Sequence, residues 1–227
     1  MSASCFNTAS ALRWLVTLVI ASVTGCAATP PVADNAATYV YRCDGEASVI
    51  VVTIDGDRAH LFSREASQPM RRQAGGADFA GAQVSYLPAQ PAGLAPAQTA
   101  AITIGGNVLR NCTNDPRAAV WEAAKLRGIS YRAVGQEPPW VLEIDREHGF
   151  MLSTGYAVNR HRFPYREPVS DTQQQITSYR TEVQGEAIVI TIKGETCRDS
   201  MSGEVFGSRV EIEWRGQRLR GCGRALH

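Results

Sequence analysis

Short β-branched runs, each closed by a glycine-bearing turn, recur along this chain and restrict it to an all-β fold. Residues 48–54 (Ser-Val-Ile-Val-Val-Thr-Ile) meet Asp55-Gly56 and then a return run at 59–62. Residues 101–104 lead through Gly105-Gly106 into 107–112. Residues 187–192 follow Gly185, and Gly216 separates 209–214 from 218–220. β-Branched side chains fit a pleated surface, and Asp-Gly or Gly-Gly between two such runs marks a hairpin. Further strands are expected at 39–43, 83–87, 129–134, 141–144, 150–154 and 178–183. Residues 63–78 form a weaker middle with a turn at Gly75-Gly76, residues 88–98 a long loop, and residues 161–171, with two prolines, an irregular stretch. Regularly spaced short strands predict a sandwich or barrel, and closure removes exposed edges.

One segment breaks the pattern. Residues 117–127 contain neither glycine nor proline. Asp115 can cap the segment, Pro116 suits a first turn and Gly128 ends it. A single linker helix is therefore expected, with Val120, Trp121 and Ala124 on one side and Trp121 packed on a barrel.

The N-terminus decides where the chain works. Arg13 precedes an apolar run, residues 14–22, that ends in Val23-Thr24-Gly25-Cys26. A charge, a short apolar core and small residues before a cut site form a secretory signal. The run is well below the roughly 20 residues that span a bilayer. Ending in Thr-Gly-Cys, it resembles a bacterial lipoprotein signal, whose cysteine is lipidated and becomes the new N-terminus. That resemblance implies Cys26 as the attachment site and permanent tethering by acyl chains, palmitate among them. Ala27, rather than Asp, follows the cysteine, which implies the outer membrane of a Gram-negative cell, facing the periplasm. Residues 26–37 are small, polar or proline and read as a tether.

Export gives the cysteines a meaning. Cys5 and Cys26 belong to the leader and the anchor, which leaves Cys43, Cys112, Cys197 and Cys222. An even number in an exported chain implies disulfides. Of the three possible pairings, Cys43–Cys112 and Cys197–Cys222 each bracket strand-rich sequence within one half. In the chain-entropy picture the first loop contributes about 4 kcal/mol and the second somewhat over ~3 kcal/mol. No metal site is expected, because the cysteines and histidines lack ligand spacing. No cofactor is expected either. Residues 27–115 hold six Arg, no Lys and eight acids, net −2, and residues 116–227 hold sixteen cations and fourteen acids, net +2. Neither half has the basic stripe of a nucleic-acid binder.

Tyr41-Arg42-Cys43-Asp44-Gly45 opens the first half, and Cys112 closes it after a Gly-Gly turn. In these features residues 38–113 resemble the membrane-bound inhibitors of c-type lysozyme. The resemblance implies a small antiparallel β-barrel bridged by its two cysteines. It also implies a partner, c-type lysozyme, whose cleft receives a loop of pattern Ser-Gly-Ala-basic-Tyr-Ser; that serine and a later lysine address the catalytic carboxylates. The matching stretch here is Ala80-Gly81-Ala82-Gln83-Val84-Ser85. Gly81, Ala82 and Ser85 match. Ala80 replaces the leading serine, Gln83 the basic residue and Val84 the tyrosine, and this half has no lysine. Arg71 or Arg72 is the nearest substitute cation in sequence. The second half resembles the C-terminal domain of an uncharacterised bacterial lipoprotein family through Gly135-Gln136-Glu137-Pro138-Pro139-Trp140, through residues 197–203 (Cys-Arg-Asp-Ser-Met-Ser-Gly) and through Gly221-Cys222-Gly223-Arg224-Ala225-Leu226. That family implies no activity. Trp140 reads as core, and Asp199 and Ser202 as turn caps.

Catalysis is not expected. Ser85, Ser153 and Ser202 lack a nucleophile-elbow setting, and no acid stands in sequence to orient His148 or His161. Glu137 and Asp199 form a carboxylate pair only if the fold joins them. The sequence therefore predicts two small disulfide-stapled, barrel-like β domains (38–113 and 129–227) joined by a linker helix at 114–128, behind a signal at 1–25. It predicts weak lysozyme inhibition, or else envelope binding or scaffolding without lysozyme. Replacing the anchor tests the first step: Cys26→Ala should leave the protein unprocessed or move it to the soluble fraction. Normal cleavage with wild-type membrane fractionation would refute the lipoprotein reading.

Overall fold

Alternating burial turns the first run of strands into a tube. A computed structural model describes residues 36–46, 49–64, 66–89 and 98–227. The signal, Cys26, most of the tether and residues 90–97 of the long loop lie outside the described residues. Strands β1 (Ala37–Asp44), β2 (Ile50–Asp55), β3 (Arg58–Phe62), β4 (Ser67–Arg72), β5 (Phe79–Ala80), β6 (Val84–Pro88), β7 (Thr99–Ile104) and β8 (Asn107–Asn114) follow in order. Each pairs antiparallel with the next, and β8 returns to β1, which closes an eight-stranded barrel. Every second side chain points inward. Tyr41, Ile50, Leu61, Met70, Phe79, Tyr86 and Ile102 fill the interior. The Cys43–Cys112 disulfide spans the closing seam.

β4 forms where the sequence suggested only a weak middle. Pro69 and two arginines hide the alternation, and Met70 alone of this strand is buried. Neighbours on both sides, β3 and β5, supply the pairing that local propensity does not.

Helix α1 (Pro116–Leu126) follows directly on β8. The Asp115 side chain accepts a bond from the Ala118 N–H at 3.0 Å, and Gly128 leaves the helix at φ +87°. Ala119, Trp121 and Ala124 are buried, whereas Val120 faces solvent. Ala119 packs on Val40 and Val51, outside the barrel. Trp121 does not pack on the closed barrel. It lies with Phe206 over Cys197 and Cys222. The helix is thus shared by both sheets.

The second half forms β9 (Tyr131–Gln136), β10 (Pro139–Asp145), β11 (Gly149–Thr154), β12 (Asn159–Phe163), β13 (Val169–Asp171), β14 (Ile176–Val183), β15 (Glu186–Lys193), β16 (Cys197–Arg198), β17 (Val205–Phe206), β18 (Ser208–Trp214) and β19 (Gln217–Ala225). Nine of these make one sheet in the order β12-β11-β10-β9-β19-β18-β15-β14-β13, and β16–β17 stand apart as a small hairpin. The nine-stranded sheet curls without closing, so the barrel-like expectation holds for the first half alone. Side chains of distant strands meet inside the curl: Phe163 on Trp214, and Phe150 on Tyr179. Thr181 also donates to the Pro164 carbonyl at 2.8 Å. These contacts fill the interior before the end strands β12 and β13 can pair. The stretch read as irregular, 161–171, contains β13 and the last three residues of β12. Its polar residues are the outward half of an alternation whose inward members are His161 and Phe163.

Inside the barrel the hydroxyls of Tyr41 and Tyr86 bond each other at 2.8 Å. Burial raises the pKa of both. In the second half burial pushes Tyr131, whose hydroxyl meets Ser208, up to about 12. These folded-state values lie above the ordinary tyrosine value of 10.0, so the folded chain holds protons that the unfolded chain releases. Their contribution is therefore complete below pH 10.0 and declines as the pH rises above it. Denaturant midpoints measured from about pH 9 to about pH 11 should fall, and the fall should lessen in Tyr41→Phe/Tyr86→Phe. Equal slopes in both proteins would refute a role for this pair.

Candidate functional site

The stretch matched to the lysozyme-contact pattern is a tight hairpin tip. Ala80 ends β5, residues 81–83 turn, and Val84 and Ser85 begin β6. The Gly81 N–H donates to the Val84 carbonyl at 2.8 Å, and the Gly105 N–H donates to the Gln83 carbonyl at 2.8 Å. A side chain at Gly81 would collide with the Pro69 carbonyl, so glycine lets the turn lie flat on β4. Val84 points into the barrel. Of this stretch Ala82, Gln83 and Ser85 are exposed.

Strand register aligns further side chains with this tip. Arg58 pairs with Arg71, Arg71 with Ala80, Ala80 with Ser85, and Ser85 with Thr103. Directly opposed residues of an antiparallel pair share a face. Arg58, Arg71, Ser85 and Thr103 thus form one outward row of cations and hydroxyls. Arg58 is paired with Asp55 at 3.1 Å. Arg72 is engaged by Asp57 at 3.1 Å and lies over the Phe79 ring. Arg71 makes no ion pair among the described residues.

In the second half the three motifs meet at one place. The Gln136 side chain donates to Asp199 at 3.2 Å. Cys197 is bridged to Cys222. Trp140 is buried, and its ring rests where side chains at Gly135 and Gly221 would otherwise sit. Asp199 accepts from the Met201 and Ser202 N–H groups and from the Ser202 hydroxyl. Burial alone would raise its pKa; the bonds from Ser202, Gln136 and Met201 outweigh burial and hold the carboxyl below the usual range. Asp199 and Ser202 act as turn caps here, and Arg132 and Arg224 cover the Trp121 ring beside them.

One acid does orient a histidine, although sequence spacing did not reveal it. Asp145 lies 2.7 Å from His148 Nδ1 and also accepts from the Glu147 and His148 N–H groups. Burial would raise the Asp145 pKa, but these bonds, that of His148 foremost, bring it below the usual range. An Asp followed three residues later by His in a turn was the available signal. Ser153 lies four residues along β11 from Gly149, about 13 Å by strand rise, and outside proton-transfer reach of this pair.

Comparison with protein-family models, with curated proteins and with solved structures finds no match for this chain.

The motif cluster predicts a steric result. At Gly221 a methyl group would collide with the Val134 carbonyl and the Trp140 ring. Gly221→Ala should cost about 1–3 kcal/mol in urea denaturation. An unchanged midpoint would show that the Trp140 packing is not rigid.

Proposed function

We propose that this chain is a cell-envelope lipoprotein, anchored through Cys26, whose barrel binds c-type lysozyme weakly. In this reading residues 38–113 are the lysozyme-binding module, residues 129–227 a second module, and α1 their link. The observation that carries it is the closed barrel stapled by Cys43–Cys112, with Ser85 and Arg71, which makes no ion pair among the described residues, on one outward row beside the hairpin tip. A hydroxyl and a cation facing carboxylates in a desolvated cleft supply charge-assisted bonds. Ser85 and Arg71 provide one of each. The reading assigns this surface binding and not catalysis.

A second reading keeps the protein as an envelope binding or structural lipoprotein with no lysozyme contact. The inward-facing Val84 and the flat hairpin favour it, since a cleft is best entered by a projecting loop.

Affinity separates the two. Ala80 and Gln83 replace a hydroxyl and a cation, each worth about 1.5–3 kcal/mol when buried and charge-assisted. Together they remove about two to four powers of ten. A cell-wall lysis assay should therefore find inhibition that is micromolar or poorer. Ala80→Ser/Gln83→Arg should tighten it, and Arg71→Gln should weaken it. No inhibition by wild type or by the restored variant supports the second reading. Nanomolar inhibition by wild type would put the contact surface elsewhere on the barrel.

A further inference from the structure

The face of β9–β12 turned away from the core holds an open groove of about 540 Å³. Alternation explains its lining. Leu142, Ile144 and Leu152 point into the core, so Val141, Glu143, Met151 and Ser153 point out. Register then builds two rows across the sheet. Arg132 pairs with Glu143, Glu143 with Met151, and Met151 with Arg162; in the next row Val141 pairs with Ser153, and Ser153 with Arg160.

The charges in this groove do not balance. Glu143 accepts from Arg127 at 3.0 Å and from Arg132 at 2.6 Å, so one carboxylate is shared by two guanidinium groups. Asp145 is occupied by His148. No lining acid remains for Arg160 and Arg162, and neither makes an ion pair among the described residues. They stand two residues apart on one face of β12, about 7 Å between backbones. Two long guanidinium arms at that spacing can converge on one tetrahedral group. The Ser153 hydroxyl, directly across from Arg160, is in position to donate to the same group.

We propose that this groove is a binding site for a phosphate monoester, held by Arg160 and Arg162 with Ser153, its remainder lying over Val141 and Met151. Charge and donor number select the phosphate. It carries close to two negative charges near neutral pH and offers three acceptor oxygens, which match two cations and a hydroxyl. A carboxylate would leave one cation unmatched. The site is on the sheet, away from the barrel surface proposed for lysozyme, and does not depend on that reading.

Calorimetric titration of the full chain tests it, with inorganic phosphate, glycerol 3-phosphate and monomeric dihexanoyl phosphatidic acid as probes. Saturable binding of at least one phosphate compound is expected. Arg160→Gln/Arg162→Gln should weaken it by about tenfold or more, while Arg117→Gln/Arg180→Gln, away from the groove, should change it by less than about twofold. Near-UV circular dichroism verifies that both variants keep the wild-type fold. Preference for glycerol 3-phosphate assigns a soluble source, and preference for the phosphatidic acid a lipid headgroup. Absence of saturable binding to all three probes would overturn the proposal and leave Arg160 and Arg162 as charges that guard an end strand against pairing. Equal weakening by the two double variants would also overturn it, because it would show diffuse charge attraction.

Discussion

The seam between β1 and β8 is the constraint on which the other parts depend. It closes the barrel, so the first sheet has no free edge. The Cys43–Cys112 disulfide crosses it, and the Asn111 side chain reaches Asp44 across it at 2.6 Å. The next residues after β8 start the helix. The Asp115 N–H donates to the Val40 carbonyl at 2.7 Å, and its carboxylate meets Arg42 at 3.0 Å. The helix therefore begins at a set point on the barrel wall. Eleven residues later it ends, having carried Trp121 onto the second disulfide. A chain with an open seam would lose the helix start, and with it the cover over Cys197–Cys222.

Around Trp121 and Trp140 the second half uses glycine where the first uses closure. Gly135, Gly221 and Gly223 permit backbones and aromatic rings to approach more closely than any side chain would allow. Asp199 and Gln136 join two segments far apart in sequence. This node accounts for the three motifs without assigning them chemistry. The two surfaces proposed for binding lie elsewhere: the outward row on the barrel through Arg71 and Ser85, and the groove on the outer face of β9–β12. Both are made by side chains of the outward alternation, which the core does not constrain.

Much of the architecture was legible in the residues. The β-branched runs, the turns at Gly56, Gly185 and Gly216 and the helix capped by Asp115 all follow from local chemistry, and the expected pairs Cys43–Cys112 and Cys197–Cys222 are the ones formed. A strand with a strong apolar alternation declares itself because its inward residues are self-evident. β4 and β12 did not, since Pro69, Arg71, Arg72, Arg160 and Arg162 outnumber the inward residues that hold those strands in place. Val120, expected on one side with Trp121 and Ala124, lies in solvent, because the barrel takes Ala119 and the second disulfide takes Trp121, which leaves Val120 between them.

The sequence by itself determined an all-β chain with one helix, because strand periodicity and turn chemistry are local; it left three cysteine pairings, of which the fold contains Cys43–Cys112 and Cys197–Cys222, across 69 and 25 residues. Tertiary structure alone decided which sheet closes, since closure depends on whether distant strands meet before side chains fill the space between them. It also decided which polar residues converge. Arg71 beside Ser85, Asp199 beside Gln136, and Arg160 and Arg162 across from Ser153 and Met151 are products of strand register, and register is set by core packing on the opposite face.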